Sequence, residues 1–161
     1  MIATCCKSAR GVNYTYLRDL LAAGKWKEAD QETLKVMLKA AKRDQEGYFT
    51  RESIDNFPCD DLRTIDQLWV KYSQGRFGFS VQKKIWLECG GKVNYDTECK
   101  LGDRIGWRKG GEWFNYDDLT FNKQAQEGNL PWGLWGVGER GWGMGWMWGE
   151  GRLLLLSHRE L

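Results

Sequence analysis

Apolar residues recur at steps of three and four in the middle of the chain, the spacing of an amphipathic helix with one buried face. Leu62, Ile65 and Leu68 mark that face in a predicted helix over 60–73, which begins soon after Pro58. Proline fixes its own backbone angle and disfavours a helical residue before it, so a new element is expected at this point.

The polar positions around this helix predict its caps and its solvent face. Asp60 or Asp61 is expected to cap it, and Asp61 and Asp66 fall on or near its polar side. A second helix is predicted over 81–89, with Ser80 as its cap.

Two further helices are predicted nearer the start of the chain. One covers 14–23 and is closed by Gly24, and the other covers 25–43 with Lys27 on its polar face. A link of one glycine between them predicts a compact helical hairpin.

Shorter elements follow the same rules. They are a helix at 51–55 capped by Thr50, a helix at 95–101 capped by Asp96 or Thr97, a turn at 119–121, and a helix or strand at 153–156. The stretch 104–116 fits either a β-hairpin turning at Gly110-Gly111 or a series of turns and short helices.

Composition narrows the classes of function. Five cysteines without CxxC spacing predict free thiols in a reducing cytoplasm, and the single histidine, His158, leaves out most zinc, haem-ligand and Ser-His-Asp schemes. A net charge of +2 without a basic block gives no reason to expect a nucleic-acid partner. Ten tryptophans and 20 glycines are many for 161 residues, and both are dense in the segment 132–151.

Conventional catalytic and nucleotide-binding motifs are weak in this sequence. The carboxylates occupy predicted caps or polar helix faces, and none forms a motif with a histidine. The run GRFGFS lacks the strand and the Gly-Lys-Ser/Thr context of a phosphate-binding loop. No catalytic residue is predicted.

A large flat ligand carrying carboxylates fits the pattern better. Aromatic rings beside glycine offer flat contact area, and arginine binds carboxylates in a bidentate manner. Such combinations occur at Arg76 with Phe77 and Phe79, at Arg108 with Trp107 and Trp113, and at Arg140 among the late tryptophans. From the pattern alone, an aromatic core explains these residues equally well, and at the corner 76–80 packing is favoured, with Gly78 allowing a close backbone approach.

The run DLRTIDQLWVKYSQGRFGFSVQK closely resembles the signature of the tetrapyrrole-binding regulators of magnesium chelatase, the fourth "genomes uncoupled" family. Further matches are YTYLRDLLAAGKWKEADQETLKVML, GDRIGW, EWFNYDDLTF and GNLP, so that the resemblance covers most of 14–131. The segment after GNLP departs from the family, which carries polar and basic residues there.

The resemblance implies a single all-α domain shaped like a cupped hand over 14–161. From the residues themselves, 1–13 are expected to be a flexible leader and 132–151 a Gly/Trp-rich loop. It favours turns and short helices over the hairpin at 104–116. Proteins of this family hold a porphyrin against an apolar palm, and they are not enzymes.

The ligand implied is protoporphyrin IX or Mg-protoporphyrin IX. Because the single histidine lies outside the signature and no thiolate is in a recognised ligand setting, we expect no protein side chain to ligate the porphyrin metal. The residues expected to bind it are Arg76, Phe77, Phe79, Trp107, Arg108, Trp113, Asn129, Leu130, Trp132, Trp135 and Arg140.

The function implied is regulation or sensing at the magnesium chelatase step of chlorophyll synthesis, with the large porphyrin-binding chelatase subunit as partner. The expected location is the cytoplasm, peripheral to photosynthetic membranes. Two alternatives stay open: a porphyrin- or bilin-sensing paralogue without a chelatase role, and a peripheral membrane-docking module based on the tryptophans.

Overall fold

The structure is a computed structural model, and it describes residues 7–132 and 150–161. Its elements in chain order are α1 (Thr15–Ala22), α2 (Trp26–Ala40), α3 (Arg51–Asp55), α4 (Cys59–Tyr72), α5 (Phe79–Glu88), α6 (Tyr95–Ile105), β1 (Arg108–Lys109), β2 (Glu112–Trp113), a 3-10 helix (Tyr116–Asp118) and α7 (Glu150–Leu156). The described part is mainly helical, which confirms the predicted fold class.

The predicted amphipathic helices are present with small shifts at their ends. Gly24 ends α1 with φ +69°, and the Lys25 N–H donates to the Leu20 carbonyl at 2.9 Å. Thr50 caps α3 as predicted, accepting from the Ser53 N–H at 3.2 Å. The last segment is a helix, and Leu153 and Leu156 are buried.

The predicted cap of α4 is wrong, because the capping position belongs to Pro58 and neither Asp60 nor Asp61 acts as a cap. Asp61 is also not on a polar face, since it is fully buried. Its carboxylate accepts hydrogen bonds from the Ser8 hydroxyl, the Ala9 N–H at 2.9 Å and the Tyr14 hydroxyl at 2.6 Å. Asp61 therefore ties the leader segment and the start of α1 to α4.

The predicted cap of α5 is wrong for a related reason. The helix begins at Phe79 after Gly78, and the Ser80 side chain makes no cap. Asp66 of α4 acts instead, accepting from the Ser80 N–H at 2.8 Å, and burial raises the pKa of this carboxyl. The predicted close approach at Gly78 is confirmed: φ is +137°, and a Cβ there would lie 2.8 Å from Val70 Cγ2.

The helical interpretation of 104–116 is also wrong in part. β1 and β2 form an antiparallel hairpin with Arg108 opposite Trp113, turning at Gly110-Gly111. Both turn glycines have positive φ, +60° and +88°, as tight hairpin turns require. The following turn lies at Tyr116–Asp118 and not at 119–121, and α6 is capped by Asn94, which accepts from the Thr97 N–H at 2.9 Å.

The core consists of two adjoining clusters of buried side chains. The larger one lies among α1, α2 and α4 and includes Trp69 and Phe77, whereas the smaller one lies among α5, α6 and α7 and includes Trp107. Phe121 and Trp132 pack against both clusters. These two aromatic residues therefore lie where the two halves of the core meet.

Cys59, Cys89 and Cys99 are free thiols, while Cys5 and Cys6 lie outside the described residues. None of the helices in the described ranges is both long and apolar enough to cross a membrane.

Candidate functional site

Several predicted site residues belong to what we call the signature junction, residues 76–82 packed against 125–131. The Arg76 guanidinium donates from Nε and Nη2 to the Ala125 carbonyl at 2.8 and 2.5 Å. The Gly128 N–H donates back to the Arg76 carbonyl at 2.9 Å. Arg76 thus joins two distant segments of the chain through its side chain and its backbone.

Phe77 and Phe79, at the same junction, are completely buried. The Phe77 ring meets Trp26 and Trp69 edge-on, with centroid distances of 5.5 and 6.4 Å. These contacts are those of core packing, the alternative that the pattern left open.

Asn129 and Leu130 are buried on the other side of the junction. Gln82 Nε2 donates to the Gly128 and Pro131 carbonyls at 2.9 and 3.0 Å. Asn129 Nδ2 donates to the Ile105 carbonyl at 2.7 Å, and the Asn129 carbonyl accepts from Trp107 Nε1 at 2.7 Å. The GNLP segment, which contains a cis peptide bond before its proline, is therefore fixed just before Trp132.

The hairpin places Arg108 and Trp113 against α6. A Cβ at Gly102 would lie 2.6 Å from Trp113 Cζ3, so the indole packs directly on the helix backbone. Arg108 Nη1 donates to both carboxylate oxygens of Asp103 at 3.0 Å, and this contact raises the pKa of Arg108. The arginine therefore already has a carboxylate partner within the chain.

A second group of aromatic residues, which we call the aromatic shelf, comprises Tyr116, Phe121 and Trp132. All three are half-buried. The Tyr116 ring centroid lies 5.0 Å from that of Phe121 and 5.2 Å from that of Trp132, and Trp107 packs edge-on behind Trp132 at 6.5 Å. The shelf thus presents aromatic area next to the point where the Gly/Trp-rich segment begins.

Lys27 lies beside this shelf, and Lys123 lies beside Trp26, the residue that precedes Lys27. Lys27 Nζ lies 5.5 Å from the Tyr116 ring centroid and 5.4 Å from that of Phe121, while Lys123 Nζ lies 5.9 Å from the Trp26 centroid. Ammonium groups at such distances are attracted to the faces of aromatic rings. The linear pattern put Lys27 on a solvated helix face, and only the fold brings it to the aromatic residues.

Asp30 holds the backbone of the shelf residue Trp132. It is fully buried in α2, and its Oδ1 accepts from the Trp132 N–H at 2.6 Å. Burial, and then the nearby Asp30 carboxylate, raise the pKa of Tyr116 well above its ordinary value. Asp30 was not among the predicted site residues, because a lone aspartate within a helical pattern carries no signal of such a role.

Trp132 is the predicted residue that lies on the shelf itself, with Trp107 directly behind it. Trp135 and Arg140 lie outside the described residues. Within residues 7–132 and 150–161, no three histidine, cysteine, aspartate or glutamate side chains come together as a possible metal site. The chemistry offered here is flat apolar contact with nearby positive charge.

Comparison with known proteins gives a consistent result. A family model described as GUN4-like matches residues 7–140. The chain is 35% identical over 130 residues to a Ycf53-like protein of Synechocystis, covering 78% of this chain and 53% of that protein. It is 38% identical over 126 residues to a protein of Arabidopsis thaliana named "Tetrapyrrole-binding protein, chloroplastic", covering 75% of this chain and 43% of that protein.

Solved structures agree with these sequence matches. The structure of GUN4 from Chlamydomonas reinhardtii superposes with a TM-score of 0.68 at 31% identity, covering 79% of this chain and 84% of that one. The ligand-free structure of Arabidopsis thaliana GUN4 gives a TM-score of 0.70 at 26% identity, covering 91% and 96%. The chain spans about half the length of the curated relatives that it matches.

Proposed function

This chain belongs to the GUN4-like family, and from that premise we propose that it is a non-enzymatic porphyrin-binding protein that uses the aromatic shelf as its ligand surface. The observation that carries the proposal is the group of half-buried rings of Tyr116, Phe121 and Trp132, with the Lys27 ammonium group beside two of them. A relative of 38% identity is named for tetrapyrrole binding, which supports the same ligand class.

The shelf has the physical properties that a porphyrin requires. A tetrapyrrole ring is flat and apolar, so half-buried aromatic side chains offer it contact area at little cost in side-chain entropy. A ring burying about 300 Å² of apolar surface gains on the order of 7 kcal/mol before the costs of association, at about 25 cal/mol per Å². That gain supports useful affinity without a bond to a metal.

We propose that no side chain of this protein ligates the porphyrin metal. His158 lies near the end of the chain, where its Nδ1 accepts from the Glu160 N–H at 3.3 Å and burial lowers its pKa. Binding then depends on ring contact and on the carboxylates, so metal-free and magnesium forms should bind with comparable affinity.

We also propose that porphyrin binding serves the magnesium chelatase step of chlorophyll synthesis, with the large porphyrin-binding chelatase subunit as the partner. Relatives from Synechocystis and from a chloroplast support a photosynthetic setting. The alternative within the same ligand class is a sensor of a porphyrin or bilin that does not act on the chelatase.

The test is a titration of the purified protein with protoporphyrin IX, Mg-protoporphyrin IX, haem and a bilin. Tryptophan quenching and the shift of the pigment's absorption band report binding. We expect saturable one-to-one binding of the two protoporphyrins with similar dissociation constants. Saturation by the bilin alone would replace the porphyrin assignment, and failure of all four pigments to bind would refute the proposed function. Adding the chelatase subunit to the pigment-loaded protein then tests the partner.

A further inference from the structure

We propose that Lys27 and Lys123 bind the carboxylates of the ligand on the aromatic shelf, and that Asp117 holds Lys27 in place until a ligand carboxylate replaces it. This inference rests on the proposed function, since it names the groups that recognise the acidic edge of a planar aromatic dianion. The sequence pattern had assigned that role to arginines.

The arginines expected to bind carboxylates are already engaged within the chain where the structure describes them. The Arg76 guanidinium donates twice to the Ala125 carbonyl, and Arg108 is bound to both oxygens of Asp103. A ligand carboxylate at either arginine would compete with those contacts. The better candidates are therefore cationic side chains near the shelf whose present partners a ligand carboxylate could displace more easily.

Lys27 forms an ion pair that a ligand could displace. Its Nζ lies 3.0 Å from Asp117 Oδ1, and the two side chains are 43% and 85% exposed. Ion pairs open to solvent contribute little net stability, because water competes for both charges. A ligand carboxylate can therefore replace Asp117 at Lys27 with little loss of protein stability, while the ammonium group stays beside the Tyr116 and Phe121 rings.

Lys123 supplies a second cation where residues 121–123 contact Trp26 and Lys27 at the start of α2. It follows Phe121 by two residues and its Nζ faces Trp26, whereas Lys27 follows Trp26 and faces Phe121. The side chain of Lys123 is exposed, and it has no ion pair within the described parts of the chain. The two ammonium groups thus flank the place where the start of α2 meets residues 121–123.

This arrangement defines the ligand class. A flat ring lying on the shelf would have its two carboxylates near the two lysines, and charge-assisted hydrogen bonds to ammonium groups are stronger than those between neutral groups. Pigments that carry two free carboxylates should therefore bind more tightly than pigments of the same ring with esterified arms.

The experiment compares protoporphyrin IX with its dimethyl ester, both titrated into the wild-type protein and into Lys27→Met and Lys123→Met in the same low fraction of organic solvent. Methionine keeps the length and apolar character of the lysine stem. Lys71→Met is the matched control, because Lys71 Nζ also lies over an aromatic ring, that of Tyr72 at 5.5 Å, on α4. Asp117→Asn is the converse variant.

We expect each of the two shelf variants to weaken binding of the free acid by about 2- to 10-fold and to leave the ester within about 2-fold. Lys71→Met should leave the affinity for both ligands unchanged, and Asp117→Asn should raise the affinity for the free acid alone. Equal losses for acid and ester, or an unchanged preference for the acid in both shelf variants, would overturn this inference while leaving porphyrin binding intact. If the wild-type protein binds neither pigment, the proposed function fails and this inference fails with it.

Discussion

The signature junction and the aromatic shelf both contain aromatic side chains next to cationic ones, but their physical states differ. In the junction, Phe77 and Phe79 are fully buried and the Arg76 guanidinium is used by a backbone carbonyl. On the shelf, the rings are half-buried, the Lys27 ammonium pairs with a solvent-exposed aspartate, and Lys123 is exposed.

From this difference we infer that the most recognisable stretch of the sequence supports the fold, and we propose that the ligand meets the shelf instead. The junction fixes the GNLP segment, and this segment in turn positions Trp132 on the shelf. We therefore expect changes in the junction to act mainly on folding and changes on the shelf to act mainly on ligand binding.

The largest effect is expected for Phe77→Ala, which removes a buried ring between Trp26 and Trp69. The free energy of unfolding should fall by about 3–5 kcal/mol, as measured by urea denaturation. Phe114→Ala is the control, since Phe114 is 37% exposed and should cost about 1 kcal/mol or less. Comparable losses in the two variants would show that Phe77 does not pack as described.

Gly78→Ala should destabilise the protein by more than Gly75→Ala. Both glycines have positive φ, but a Cβ at Gly78 would meet Val70 and Asp66 whereas a Cβ at Gly75 meets nothing within 4 Å. The steric overlap should add about 1–3 kcal/mol to the strain that the two variants share. Equal unfolding free energies for the two variants would argue against the close approach of α4 at this corner.

Arg76→Ala should lower the free energy of unfolding by about 1–3 kcal/mol, because the Ala125 carbonyl loses both of its guanidinium donors. Under conditions in which the variant is folded, its dissociation constant for porphyrin should stay within about 2-fold of the wild-type value. Such a change is much smaller than a tenfold change, which corresponds to about 1.4 kcal/mol of binding free energy. A large loss of affinity with unchanged stability would return Arg76 to the role of a propionate ligand.

Trp132→Leu should have the smallest effect on stability, about 1 kcal/mol, because the side chain is half-buried and leucine keeps part of its apolar contact. Porphyrin affinity should nevertheless fall by about 10-fold, since the shelf loses aromatic area. Urea denaturation and pigment titration on the same preparation separate the two effects. A variant that is much less stable yet binds porphyrin normally would remove Trp132 from the site.

Much of the fold could be predicted from the sequence because it depends on local rules. The three- and four-residue spacing identified the amphipathic helices, Thr50 was recognisable as a cap, and glycine was expected at the close approach near Gly78. The hairpin at Gly110-Gly111 was also present in the pattern, and the preference for a helical alternative came only from the resemblance.

The errors arise where a side chain acts across the fold. Asp61 and Asp66 look like ordinary caps or surface charges in sequence, yet one binds the leader segment and the other caps α5 from α4. Lys27 meets Phe121, and Asp30 meets Trp132, only in the folded chain, which explains why sequence patterns did not predict the shelf.

Hydrogen exchange of the backbone amides, with and without bound protoporphyrin IX, tests the central claim most directly. We expect slower exchange in residues 116–123 and at the start of α2 when the pigment binds. Residues 76–82 should change little, because Phe77, Phe79 and Gln82 are already buried in the free protein. Protection confined to 76–82 and 125–131, with no change in 116–123, would contradict the claim that the shelf binds the ligand and that the junction only supports it.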